Sequence, residues 1–241
     1  MLKIVDLTKS YQVGERHNVV LNSISFSVCH EDFTVIMGKS GSGKSTLLFS
    51  VSLLDSIDAG AISFDDVRLD LLNEKELSRI RLNDFGFVFQ NNNLIEIMTL
   101  FENVALPAIE RKSFDKQKVT DIMASLELDD CLDKLPGYCS GGERQRCAIA
   151  RALVNGPRVL FADEPTGALD YHSTITLMEI LKKLNEEGQT MLVVSHDRLV
   201  ASYAKKVMYL KDGKILEGLS FSDESHAQRL RMIDTLIDRM D

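Results

Sequence analysis

Apolar and polar residues alternate with period two along Leu2-Lys3-Ile4-Val5 and along Asn22-Ser23-Ile24-Ser25-Phe26-Ser27-Val28, which predicts two half-buried strands of the antiparallel kind. Phe33–Met37, Val159–Ala162 and Met191–Val194 are short apolar runs instead, the pattern of central parallel strands covered on both faces. Helical periodicity lies between these runs, first at Ser45–Leu54. The chain therefore reads as α/β, with a mostly parallel sheet and an N-terminal antiparallel β subdomain. From about Asn91 to Gly137 the character turns helical. Thr99-Leu100-Phe101-Glu102 has the form of a capping box, Val119, Ile122, Met123 and Leu126 recur at helical spacing, and Leu135-Pro136-Gly137 ends the pattern. An inserted helical subdomain is expected there. Leu230, Ile233, Leu236, Ile237 and Met240 mark one face of a last, amphipathic helix, which either docks on its own domain or offers an interaction face. No Gly/Pro linker or internal repeat divides the chain, so motif order sets the expected units. These are residues 1–90 and 156–220 as two parts of the α/β core, 91–155 as the helical subdomain and 221–241 as the tail.

The loop Gly38-Lys39-Ser40-Gly41-Ser42-Gly43-Lys44-Ser45-Thr46 lies between an expected strand and an expected helix, the setting of a P-loop. Its glycines allow backbone conformations in which successive amide N–H groups converge on phosphate oxygens at a helix start. Lys44 is placed to reach β- and γ-phosphates, and the Ser45 hydroxyl to bind Mg²⁺, so ATP with Mg²⁺ is the expected ligand. Arg158–Glu164 is an apolar strand ending in two carboxylates that point different ways. Asp163 suits a hydrated Mg²⁺, and Glu164 suits the proton of an attacking water. His196 tips another apolar strand, where an N–H can be given to a γ-phosphate oxygen. Gln90 follows Phe87-Val88-Phe89 at the junction with the helical region, so its amide oxygen could ligate Mg²⁺ at a hinge. Tyr11 could stack on adenine or serve only in packing. Ser140-Gly141-Gly142-Glu143 also reads as a capping box, yet two successive glycines cost a helix about 1 kcal/mol each. A phosphate approaching bare backbone at the positive end of the helix dipole accounts for them, which makes this turn a second anion site.

Composition narrows the picture. In 241 residues, 44% are apolar, enough for one large core, and the formal net charge of −8 disfavours a nucleic-acid surface, which needs clustered Lys and Arg. No run approaches the roughly 18 apolar residues that cross a bilayer, and Met1–Ser10 lacks a signal pattern, so a cytosolic chain is expected. Cys29, Cys131, Cys139 and Cys147 show no C-x-x-C spacing and read as buried or idle reduced thiols.

The P-loop, Gln90, Cys139-Ser140-Gly141-Gly142-Glu143, Asp163-Glu164, Ala168-Leu169-Asp170 and His196 occur in an order that resembles the ATP-binding cassette family, from Leu2 to about Gly218. The stretches Phe87–Gln90, Leu100–Pro107 and Ser140–Arg146 are most similar to the macrolide-exporter and lipoprotein-releasing subgroup, with antimicrobial-peptide exporters and the cell-division ATPase nearby. The resemblance implies two domains closing head to tail as a homodimer on ATP. Ser140, Gly141 and Gly142 would then contact the γ-phosphate in trans, and Asp170 would report across the interface. It also implies a separate transmembrane permease whose coupling helix meets the segment from Gln90 to Met98. The chain would then sit peripherally on the inner face of the membrane. Two positions depart from the pattern: Cys139 stands where Leu is usual, and Glu143 where Gln is usual. An exporter subunit is the first reading. A cell-division-type ATPase that transmits force without transport is the alternative, and a DNA-repair cassette is disfavoured by charge and by the lack of a coiled-coil insertion.

Overall fold

The computed structural model describes residues 1–14 and 16–240, so Asp241, the last position of the expected tail, lies outside the described residues. In chain order the elements are β1 (Leu2–Val13), β2 (Arg16–Val28), β3 (Phe33–Met37), α1 (Lys44–Val51), β4 (Ala59–Phe64), β5 (Val67–Arg68), α2 (Glu74–Asp84), β6 (Phe85–Val88), α3 (Leu100–Glu110), α4 (Lys116–Ser125), α5 (Gly141–Leu153), β7 (Val159–Asp163), α6 (Tyr171–Glu186), β8 (Thr190–Val194), α7 (Arg198–Ser202), β9 (Lys206–Lys211), β10 (Lys214–Ser220) and α8 (His226–Met240). One sheet has the order β2-β1-β4-β5, its pairs antiparallel. The other runs β10-β9-β3-β8-β7-β6, parallel throughout except for β10 at its edge.

The expected apolar runs form the centre of this second sheet, and every residue of β3, β7 and β8 is buried. Their side chains still alternate. Phe33, Val35 and Met37 join a core shared with α3, α5 and α6, whereas Ile36 joins the core beneath the antiparallel sheet. The C-terminal ends of β3, β7 and β8 thus come out side by side between two packed layers.

The opening strands are longer than their alternation predicts. Register shifts between Ile4 and Leu7, Leu7 and Lys9, and Lys9 and Ser10, with Asp6 at φ 49° and Ser23 at φ 53°, break period two while pairing continues. Helix α1 ends before the expected Leu54 because Leu53 turns left-handed at φ 52°. Helix α2 has no sequence expectation. The amphipathic tail forms α8 and docks on its own chain: Ile233 and Leu236 are fully buried, Arg198 pairs with Asp234 at 3.0 Å, and Arg239 with Glu217 at 3.2 Å. Among the described residues, no helix is long and apolar enough to cross a membrane.

Candidate active site

The P-loop begins where β3 ends. A Cβ at Gly38 would lie 2.3 Å from the Leu210 carbonyl oxygen, so only glycine lets the loop pass β9 here. Gly43 holds φ +98° as the N-cap of α1 and supplies no side-chain acceptor to the first turn. The amides at the start of α1 are thereby left to a ligand, at the positive end of the helix. Lys44 is buried. Its ammonium donates to the carbonyls of Gly38 at 2.8 Å and Lys39 at 3.1 Å, and stands 3.6 Å from Glu164 Oε1.

A cavity of about 490 Å³ opens over this loop, walled by Val20, Ser40, Gly41, Gly43, Lys44, Ser45, Thr46, Gln90, Glu164 and His196. Gly38 and Ser42 underlie it, the Ser42 hydroxyl lying 2.6 Å from the position of a Gly38 Cβ. Asp163 reaches it through Ser45, whose hydroxyl donates to Oδ1 at 2.9 Å. Burial pushes the Asp163 carboxyl above its ordinary range; the Ser45 hydrogen bond opposes this, and the neighbouring Glu164 adds to it. The hydroxyl of Ser45, the carboxylate of Asp163 and the amide oxygen of Gln90 are hard oxygen donors of the kind Mg²⁺ takes, so the residues fit that ion.

Glu164 adopts φ 45°, left-handed for a residue with a side chain, and its N–H donates to the Val194 carbonyl at 2.9 Å. Its Oε2 accepts from the Ser195 hydroxyl at 3.1 Å and the His196 backbone N–H at 3.3 Å, while Oε1 lies 3.0 Å from His196 Nδ1. The tips of β7 and β8 are therefore locked together through one carboxylate. Its orientation toward the loop mouth is set by Ser195 and His196, the two residues just past β8, and by Lys44.

The second glycine motif takes no part in this cavity. Ser140 caps α5 by accepting the Glu143 N–H at 3.2 Å, and Glu143 Oε2 accepts the Ser140 N–H at 2.6 Å, completing the expected capping box. Beside this turn, a Cβ at Gly141 would lie 3.7 Å from the Ala168 carbonyl, and one at Gly142 3.6 Å from the Ser173 hydroxyl. Asp170 caps α6 by accepting the Ser173 N–H at 3.0 Å. Ser140–Glu143 and Asp170 thus share a separate face. Tyr11 is not part of the cavity wall but lies at its edge, beside Thr46, which is. Its hydroxyl donates to Asp55 Oδ2 at 2.5 Å, the Lys9 ammonium lies 4.9 Å over its ring, and the Thr46 hydroxyl is a neighbour. Sequence reasoning missed Ser195 and Val20. A serine preceding the strand-tip histidine was the available signal for the first, and Val20 reaches the cavity only through the bulged pairing of β2.

A family model described as ABC transporter matches residues 21–167. The macrolide export ATP-binding/permease protein MacB of Campylobacter jejuni is 41% identical over 93% of this chain, which spans only 35% of that protein's length. An uncharacterised ABC transporter ATP-binding protein of Methanocaldococcus jannaschii, MJ0796, is 40% identical over 89% of this chain and 95% of its own length. The dimeric structure of the MJ0796 cassette superposes with TM-score 0.86 at 38% identity, covering 93% of this chain and 100% of that one. A second MJ0796 structure, a dimeric post-hydrolysis state bound to ADP and Pi, superposes with the same score, identity and coverage.

Proposed function

This chain belongs to the ABC transporter family, and from that premise we propose that it is the ATP-hydrolysing subunit of a transporter, closing as a homodimer on ATP to drive a separate membrane permease. One observation carries the reading: the P-loop, Gln90, Glu164 and His196 wall one cavity, while Ser140–Glu143 lies outside it. Head-to-tail pairing would lay the second motif of one copy over the cavity of the other. The dimeric form of the MJ0796 cassette supports this arrangement.

In the closed pair, the P-loop amides from Gly38 to Thr46 and the Lys44 ammonium hold the β- and γ-phosphates, and Tyr11 borders the adenine. Ser140, Gly141 and Gly142 meet the γ-phosphate from the second copy, with Glu143 fixing their turn and Asp170 at the seam. Ser45, Asp163 and Gln90 would hold Mg²⁺, which supplies neutralisation of phosphate charge. Before nucleotide enters, Lys44 and Glu164 face each other at 3.6 Å. Phosphate draws Lys44 away and leaves Glu164 to accept a proton from water as the water oxygen bonds to the γ-phosphorus and the bond to the bridging oxygen breaks. His196, tethered to Glu164 through Nδ1, presents its second ring nitrogen to the departing phosphoryl group.

The segment from Gln90 to Met98 is the proposed meeting place with the permease, which would keep the chain on the inner face of the membrane. Relatives named for macrolide export support a drug as cargo, selected by the permease, while a peptide or lipoprotein rests on the resemblance in sequence alone. The net charge of −8 supports a protein partner and no nucleic acid. Glu164→Gln is expected to lower the hydrolysis rate at least ~100-fold and to accumulate an ATP-bound dimer. Light scattering of that variant in ATP checks it, and a persistent monomer would count against the reading.

A further inference from the structure

The turn Ser140-Gly141-Gly142 has almost no side chain by which packing could hold it. Its orientation rests on the capping carboxylate of Glu143, and that carboxylate is itself held from below. The Cys131 thiol, in a short 3-10 turn between α4 and α5, donates to Glu143 Oε1 at 2.7 Å. The Lys134 ammonium lies 3.3 Å from Cys131 Sγ and 3.8 Å from Glu143 Oε1. Cys131 is 4% exposed, packed in the same core as Val119, Met123 and Leu128. The Arg144 guanidinium donates to the Cys139 carbonyl at 3.2 Å, fixing the residue before the turn. The Glu143 carboxyl is pulled down to about 2, first by the Cys131 thiol and then by the Ser140 backbone and hydroxyl, with burial opposing.

We propose that Cys131 and Lys134 are positioning residues for the Ser140 turn, acting through Glu143 to aim its bare backbone at the nucleotide of a second copy. This rests on the two-copy reading above. It explains why a carboxylate stands at position 143. Both groups beneath it are donors, and an amide in its place would turn its own N–H₂ toward the Lys134 ammonium or lose the bond to Ser140. It also gives Cys131 a use that its raised thiol pKa, caused first by burial and then by Glu143, suits: the thiol stays protonated and donates.

The test uses the full chain in a Glu164→Gln background, where ATP-dependent dimerisation can be titrated by sedimentation. Cys131→Ala is expected to weaken dimerisation about tenfold, roughly threefold for each of two symmetric turns, the scale of one weak hydrogen bond. Cys131→Ser, which keeps an O–H donor, should restore it to within about twofold. Binding of a fluorescent ATP analogue to dilute monomer, which reads the P-loop of the same copy, should be unchanged by both. Within a Glu143→Ala background, adding Cys131→Ala should cost nothing further. An equal loss with and without Glu143, a loss shared by Cys131→Ser, or weakened monomer binding overturns the proposal in favour of a general packing role. A parent that never dimerises on ATP overturns the two-copy reading itself, and a dimer indifferent to Cys131→Ala overturns only this inference.

Discussion

Position by position, the glycines of the chain are not equivalent. A methyl group at Gly38 would press on the Leu210 carbonyl oxygen at 2.3 Å, whereas one at Gly137 would meet nothing within 4 Å. Gly38→Ala is therefore expected to cost about 1–3 kcal/mol of stability and to abolish nucleotide binding, while Gly137→Ala leaves both within error. Thermal unfolding with and without ATP checks the pair. The residues at the cavity are mostly legible because they come where an apolar run stops: Lys44 and Ser45 in the loop and helix start after β3, Asp163 and Glu164 at the end of β7, His196 after β8. Ser195 is not, since its buried hydroxyl matters only through Glu164, 31 residues away in sequence. The thiol of Cys131 reads in the sequence as buried or idle, and it is buried; its bond to Glu143, 12 residues on, is not legible there.

For whole elements, legibility followed burial. Helix α2 fully buries none of its residues and sets only Leu77 and Ile80 against the core, too short an apolar stripe to betray it, although the Asn73–Glu76 capping box that starts it is written in the chain. The β9–β10 hairpin carried an Asp212-Gly213 signal, both residues at positive φ, that went unread. One link between elements invites measurement. Arg151, near the end of α5, donates to the carbonyls of Asn93 at 2.6 Å and Asn92 at 2.5 Å, two consecutive left-handed residues just after Gln90. A lysine offers one compact charge and cannot fork across both carbonyls. Arg151→Lys should cost about 1 kcal/mol and speed amide exchange in residues 92–98 roughly tenfold, with α5 itself unchanged. Hydrogen-exchange mass spectrometry distinguishes this from a general loosening of the helical region.

Across the molecule, strand order was the least legible property. Apolar runs identify β3, β7 and β8, but β9, β3, β8, β7 and β6 become neighbours through crossovers that no local pattern states. The two sheets are joined where the Asn22 N–H donates to the Gly213 carbonyl at 2.8 Å, a contact spanning most of the chain. Charge also acts at this scale. Two copies, each of net charge −8, repel as they approach, and salt screens that repulsion. Raising NaCl from about 20 to about 200 mM should tighten the ATP-dependent dimer of Glu164→Gln, read by sedimentation; weakening with salt would mean that complementary patches outweigh the net charge. Finally, because the Ser140 turn takes no part in the P-loop cavity of its own chain, the proposed pairing has a consequence for inheritance. Two silent alleles, Lys44→Ala and Ser140→Ala, would complement when co-expressed, since a mixed pair rebuilds one undamaged half-and-half pocket with restored ATPase activity. Lys44→Ala with Glu164→Gln would not, because those lesions lie in the same pocket and every combination leaves both pockets broken.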